Sequence, residues 1–270
     1  MITRKRAALD GVWLDEVHEA VVIRSIESGD GKTGISAVSS AAGNGQRITG
    51  YRRDTLDVTV KFGIDIKRGD MEGRTEALEA VNAWAAAAYG SGAWLTVNYK
   101  PGRRIRVVLA QAPGEGSAWD WTKEYSIVFR AYGVPFWEDE EEKTADIGSG
   151  GALSGSFRIE GSAPAGVSVT LENISGAEIK RIGAVTVNGN TMGFTSLGLM
   201  AGEALVIDHG ASGLLRIRIR SADGVAFRSA MGKRTPESAD DFTALPGETG
   251  AGLTSERACR MLVGWRCRYL

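Results

Sequence analysis

From Leu56 to Ile64 the chain alternates without a fault. Leu56, Val58, Val60, Phe62 and Ile64 are apolar, while Asp57, Thr59, Lys61 and Gly63 are polar or small. A period of two sends the first set to one side of a strand and the second to the other, predicting one buried and one wet face. The same alternation recurs over Tyr125–Tyr132, and β-branched runs at Ala20–Ile26, Ala93–Tyr99 and Arg104–Ala110 predict further strands. One stretch changes period. Leu78, Val81, Trp84, Ala85 and Ala88 recur at i, i+3, i+4 spacing. Asp70 stands where a cap is needed, Glu72 and Glu76 suit the positive end, and Gly90 closes the run. Together they predict a helix over 71–89. Strands, one helix and more strands read as an antiparallel α+β unit.

Beyond Leu153 the helical period disappears. Short strand candidates follow one another at Ser156–Glu160, Val167–Glu172, Ile179–Val187, Thr191–Thr195, Ala204–Asp208, Leu214–Arg220, Val225–Arg228 and Ala258–Tyr269. Asn188-Gly189 and Asp223-Gly224 read as hairpin turns, because both residue types tolerate positive φ. Regular short strands of this kind predict a β-sandwich or jelly roll. Leu215, Ile217 and Ile219 alternate with Arg216, Arg218 and Arg220. The arginines read as the solvated face of that strand, or as a basic ladder for acidic groups on a neighbour or a sugar acid. In the last strand Cys259, Met261, Val263, Trp265, Cys267 and Tyr269 share one face, and Arg260, Arg266 and Arg268 take the other. Eight residues of one strand separate the two cysteines by about 26 Å, beyond the roughly 7 Å a disulfide allows, so both read as buried structural thiols.

A boundary lies between these halves. Tyr125–Tyr132 runs into Gly133-Val134-Pro135-Phe136-Trp137, and Glu138-Asp139-Glu140-Glu141-Glu142 follows at once. The predicted division is a first domain over 1–137, an acidic, glycine-rich hinge over 138–152, and a second domain over 153–270. Pro135, Phe136 and Trp137 form the seam. Charge supports the division: the net charge of −1 is the sum of +2 over 1–137, −5 over 138–150 and +2 over 151–270. Like charges keep a linker extended. Neither large block carries the basic excess that binding a phosphate backbone requires, so nucleic acid is not an expected partner. Glycine is abundant at 36 of 270 residues and proline scarce at 6, which suits many turns between short strands.

Chemistry is hard to find. Gly29-Asp30-Gly31-Lys32-Thr33-Gly34 matches the form GxGxxG, but no helix follows to receive a pyrophosphate, and the segment reads as a hairpin turn. Arg68-Gly69-Asp70 reads as the approach to the helix. His18 and His209 are the two histidines of the chain, and no nucleophile elbow, metalloprotease, P-loop or EF-hand motif occurs. No cofactor, metal or catalysis is expected. There is also no secretory h-region and no apolar run long enough to span a bilayer, so no membrane insertion is expected.

The order of features does resemble a family. A glycine-rich turn with an Arg-rich approach (Gly45 to Arg53) precedes the Leu56–Ile64 strand. A helix with Trp84 near its end follows, then paired strands, and then a strand closing on Tyr132, Pro135, Phe136 and Trp137. This order resembles the distal tail protein (Dit) family of phages with long non-contractile tails, over essentially the whole chain. The resemblance implies a mainly β protein: an α+β N-terminal ring domain with one helix, then a galectin-like β-sandwich. It implies a homohexameric ring at the virion tail tip, made in the host cytoplasm. That ring would join the tail tube protein above to the tail-associated hub protein below, with the tape-measure or a receptor-binding protein as further contacts. Two ring faces are then needed. The candidates are the helix surface around Trp84, Ala85 and Ala88, and the 56–64 strand with Leu56, Asp57, Thr59 and Lys61. The alternative is a carbohydrate-binding module that recognises host cell-wall polysaccharide.

Overall fold

A computed structural model describes residues 4–29, 31–39, 46–67, 69–113, 124–210 and 213–270. The chain divides into two compact units, Met1–Trp137 and Glu138–Leu270. It is mainly β: antiparallel sheets build both units, with one α-helix among the described residues.

The strands of the first unit are β1 (Ala7–Leu9), β2 (Val12–Trp13), β3 (Val21–Ser28), β4 (Lys32–Ser39), β5 (Gln46–Ile64), β6 (Ala93–Val97), β7 (Arg103–Gln111) and β8 (Tyr125–Ala131). Their order across the sheet is β2-β1-β6-β7-β8-β5-β3. The alternation read from the sequence sets the faces: Leu56, Val58, Val60 and Phe62 are buried, as are Ile127 and Phe129 of β8 and Ile105 and Val107 of β7. Helix α1 (Met71–Ala86) lies on that apolar face, with Ala77, Val81, Trp84 and Ala85 buried. Asp70 caps it, its carboxylate accepting from Gly73 N at 2.9 Å. Trp84 meets the Phe129 ring edge-on at 5.8 Å and donates its indole N–H to the Val12 carbonyl at 2.8 Å.

Residues 29–34 do not make a hairpin turn. β3 pairs with the second half of β5 (Ser28 opposite Val58) and β4 with its first half (Lys32 opposite Thr55), so β3 and β4 run on as one interrupted strand. At the interruption Gly29 N donates to the Asp57 carbonyl at 2.8 Å, and Gly31 takes φ +65°. A glycine inside a strand commonly marks such an irregularity. The reversal between β4 and β5 falls in 40–45, outside the described residues, as do Arg68 of the Arg-Gly-Asp sequence and residues 114–123. The consequence is structural: β5 pairs with β8 only from Leu56 to Phe62, so its first ten residues and β4 form a two-stranded ribbon beyond the sheet.

β9 (Trp137–Asp139) carries the chain past the boundary. The second unit contains β10 (Lys143–Ile159), β11 (Ala165–Asn173), β12 (Ile182–Val187), β13 (Asn190–Phe194), β14 (Ala204–His209), β15 (Leu215–Arg220), β16 (Phe227–Ser229), β17 (Thr243–Ala244), β18 (Gly247–Trp265) and β19 (Arg268–Tyr269). Their order is β13-β12-β18-β11-β14-β15-β16, with β10 on the other edge of β18. β18 changes partner along its length, taking β12 at Ala251–Ser255 and β11 at Cys259–Trp265. One bent β10–β18 ribbon therefore joins the two parts of the sheet around a single core that includes Val169, Leu171, Phe194, Ile207, Ile217, Phe242 and Met261.

Here the hinge expectation needs correction. Residues 143–152, read as an extended linker, are the first part of β10 and pair with β18 from Lys143 opposite Trp265 onward. The acidic run is partly absorbed as well: Glu138 is buried, and Glu142 accepts from the Ser168 hydroxyl at 3.0 Å. Backbone pairing and local partners outweigh the charge repulsion that argued for a solvated tether.

Candidate interaction surfaces

The surfaces read from the sequence divide into those spent on packing and those left outward. Trp84, Ala85 and Ala88 are buried in the first unit, as is Leu56. The helix face expected to meet a partner instead makes the core, because the apolar stripe has the sheet beneath it. The outward side of α1 carries Glu72, Thr75, Glu76, Glu79, Asn82 and Ala83. A groove of about 580 Å³ runs beside Met71, Glu72, Thr75, Glu76 and Glu79.

The wet face of β5 is outward as expected, but its charges are matched across strands. Asp57 receives both a 2.5 Å and a 2.7 Å hydrogen bond from the Arg130 guanidinium, and Lys61 pairs with Glu27 at 2.8 Å. Those contacts raise the pKa of Arg130 and of Lys61 and lower that of Glu27, the partner's hydrogen bond being the largest cause each time. Thr59 lies between them, half-buried.

Further along the same outward face, on β6 and β7, lies a basic and aromatic group. Arg104 lies over the Trp94 ring at 3.9 Å and Arg106 at 5.4 Å. The Arg106 guanidinium donates to the carbonyls of Ser91 at 2.9 Å and Gly92 at 3.2 Å, and among the described residues it has no carboxylate partner. Burial and then the neighbouring Arg103 charge lower the pKa of Lys100. The alternation Arg104-Ile105-Arg106 beside Trp94 was visible in the sequence. In the sequence it reads as an ordinary strand.

At the seam, Pro135 and Trp137 are buried and Phe136 is half-buried. Arg53 lies 5.2 Å over the Phe136 ring, and the Lys100 ammonium lies 5.0 Å over Trp137. These are packing contacts within the first unit.

In the second unit the arginine ladder divides. Asp208 accepts from Arg216 at 2.7 Å and from Arg218 at 2.7 Å, and Arg218 also lies 4.5 Å over the Phe227 ring. Two of the three charges thus meet one carboxylate and one of them an aromatic face. Arg220 has no ion-pair partner among the described residues. Cys259 and Cys267 are buried free thiols whose pKa burial raises. Arg268, expected on the wet face with Arg260 and Arg266, is half-buried like Arg266: burial lowers its pKa, and it donates to the Pro164 carbonyl at 3.3 Å. Among the described residues no group of three His, Cys, Asp or Glu could hold a metal ion, and no helix is long and apolar enough to cross a membrane.

No family model matches the chain, and no curated protein matches it in sequence. Solved structures do. The crystal structure of phage SPP1 Dit (gp 19.1), described as a paradigm of the hub adsorption apparatus in phages infecting Gram-positive bacteria, aligns with a TM-score of 0.68. The alignment covers 99% of this chain and 100% of that one at 12% identity. The fold is that of SPP1 Dit. Two structures of the phage p2 baseplate in its activated conformation, with Sr and with Ca, align at TM-scores of 0.48 and identities of 6% and 7%. They cover 97% of both chains in the first case and 98% of both in the second. These two lie below the similarity from which a common fold follows. The Dit fold therefore extends over both units with few shared residues, as expected where backbone pairing and burial pattern matter more than side-chain identity.

Proposed function

We propose that this chain is a structural protein of a phage tail, a distal tail component without catalytic activity. The observation that carries the reading is the alignment with SPP1 Dit over 99% of this chain, both units included. In this reading six copies close into a ring that continues the tail tube. The ring joins the tube protein above to the hub protein below, with a tape-measure or receptor-binding protein as a further contact.

The β4–β5 ribbon supports assembly. A two-stranded ribbon is at best marginal on its own in water. Among the described residues ten residues of β5 are paired with β4 alone, a length that gains stability when another chain covers it. A ring of identical subunits supplies such cover, since each copy offers one surface forward and a different one behind. The matched charges of the arginine ladder leave little there for an acidic sugar to grip. The test is antibody labelling of purified tails bearing this protein, viewed by electron microscopy. Label at the distal tip supports the reading. Tails that contain none of this chain, together with binding of the purified protein to cell-wall polysaccharide, would overturn it in favour of a carbohydrate-binding module.

A further inference from the structure

The two-residue turn between β12 and β13 is Asn188-Gly189, with Val187 opposite Asn190. Asn188 takes φ +51° and Gly189 φ +80°, the left-handed pair that a primed hairpin turn requires. Both residues are exposed. The same dipeptide has a reactivity of its own. The backbone nitrogen that follows an asparagine can attack the asparagine's side-chain carbonyl carbon and close a five-membered imide. A side chain on the following residue obstructs that approach, and glycine has none.

Three observations leave the route open at Asn188. A Cβ at Gly189 would meet no atom within 4 Å, so the space around the attacking nitrogen is clear. Among the described residues the Gly189 N–H donates to no acceptor; the neighbouring hydrogen bond is made by Asn188 N, to the Gly250 carbonyl at 2.9 Å. The Asn188 amide is loosely held, its Nδ2 reaching the Thr243 carbonyl at 3.5 Å, the outer limit of a hydrogen bond. The other asparagines among the described residues lack this combination. Asn98 Nδ2 donates to the Arg4 carbonyl at 2.7 Å, and Asn173 Nδ2 to the carbonyls of Ala177 at 2.7 Å and Leu199 at 2.8 Å. Asn82 lies within α1, and Asn190 is followed by the β-branched Thr191.

We propose that Asn188 is a self-modification site, converted without an enzyme to aspartate and isoaspartate. The Gly189 nitrogen loses its proton to solvent base and bonds to Asn188 Cγ. The Cγ–Nδ2 bond breaks, and ammonia leaves with a proton taken from water. A second water then opens the imide. Attack at Cγ restores the original chain path and leaves aspartate. Attack at the backbone carbonyl carbon routes the chain through Cγ and leaves isoaspartate. Nothing is oxidised or reduced.

The two products differ in effect. Aspartate tolerates the left-handed region as asparagine does and keeps the turn. Isoaspartate adds one carbon to the main chain, and a two-residue turn cannot absorb it with Val187 still opposite Asn190. Val187 also pairs with Ala251 of β18, so the disturbance reaches the next strand of the sheet. The second unit thus carries a site of chemical ageing on its surface.

The test is incubation of the full chain at mildly alkaline pH. Peptides are then mapped by mass spectrometry with electron-transfer fragmentation, which separates isoaspartate from aspartate. Asn188 should gain about 1 Da, the change from amide to acid, on the order of tenfold faster than Asn82, Asn98, Asn173 or Asn190. Fragment ions also separate it from Asn44-Gly45, the other Asn-Gly sequence of the chain. Gly189→Asn retains a residue that tolerates positive φ, so it should melt like the wild type and slow the gain at Asn188 by about tenfold. The wild-type measurement stands without any variant. No gain at Asn188 in the folded wild type, whatever the urea-unfolded chain does, would overturn the proposal. A folded Gly189→Asn chain that converts Asn188 at the wild-type rate would overturn it as well, because direct hydrolysis would then be the route.

Discussion

Individual side chains here mostly do the work of packing, and the costs of removing them can be assigned. Trp84 is 6% exposed, fills the space between α1 and β8, and satisfies the Val12 carbonyl. Trp84→Ala should cost about 3–5 kcal/mol, the usual range for emptying a buried aromatic site. Chemical denaturation checks this, and the loss should be confined to the first unit. In the second unit, Asp241 is bonded to His209 and accepts from Phe242 N at 2.7 Å. Burial alone would raise the pKa of this carboxyl. The hydrogen bond and charge of His209, the Phe242 N–H and the Arg268 charge together outweigh burial and hold it below its ordinary value of 3.8. A carboxyl depressed in the folded state contributes stability that is complete above its unfolded pKa and is lost as pH falls through the folded one. The second unit should therefore lose stability as pH drops below about 4. Asp241→Asn should show a smaller loss over that window in thermal melts. Equal acid limbs in the two proteins would contradict the assignment.

At the scale of elements the ribbon is the most exposed commitment. Replacing residues 34–52 by a two-residue Asn-Gly turn keeps Arg53 on the Phe136 ring and leaves the β3–β5–β8 pairing intact. The shortened chain should melt with the first unit essentially unchanged and fail to form rings. A shortened chain that still forms rings would show that the ribbon is not part of assembly. Elements differed in how far they could be read from the residues alone. Leu56–Ile64, Tyr125–Tyr132 and α1 were legible because side-chain period and burial coincide in them. β10 before Ser156 and the first half of β18 were not. Their glycines and serines carry no period, and their pairing is made by backbone atoms. The glycines serve close approach: a Cβ at Gly252 would lie 3.1 Å from the Leu153 carbonyl, and one at Gly155 would lie 3.2 Å from the Ile147 side chain. Such contacts join residues nearly a hundred positions apart, or close a bend within one strand, and composition read locally suggests only a loop. The helix stripe misleads for a simpler reason. Trp84, Ala85 and Ala88 drew notice as an apolar stripe, but an apolar stripe reports the nearest core.

The whole chain is two compact units, each with its own core, in an order that matches SPP1 Dit from end to end. An identity of 12% over that length leaves the fold as the shared property. A ring component needs no reactive centre. In the proposed ring it needs two unlike faces, and the β4–β5 ribbon, which reaches beyond its own sheet, is a candidate for one of them. Negative-stain electron microscopy of the purified wild-type protein tests this most directly. Closed particles of six copies around a central hole are the expected result. A population of single chains that never assembles, alone or with tail-tube and hub proteins present, would contradict it.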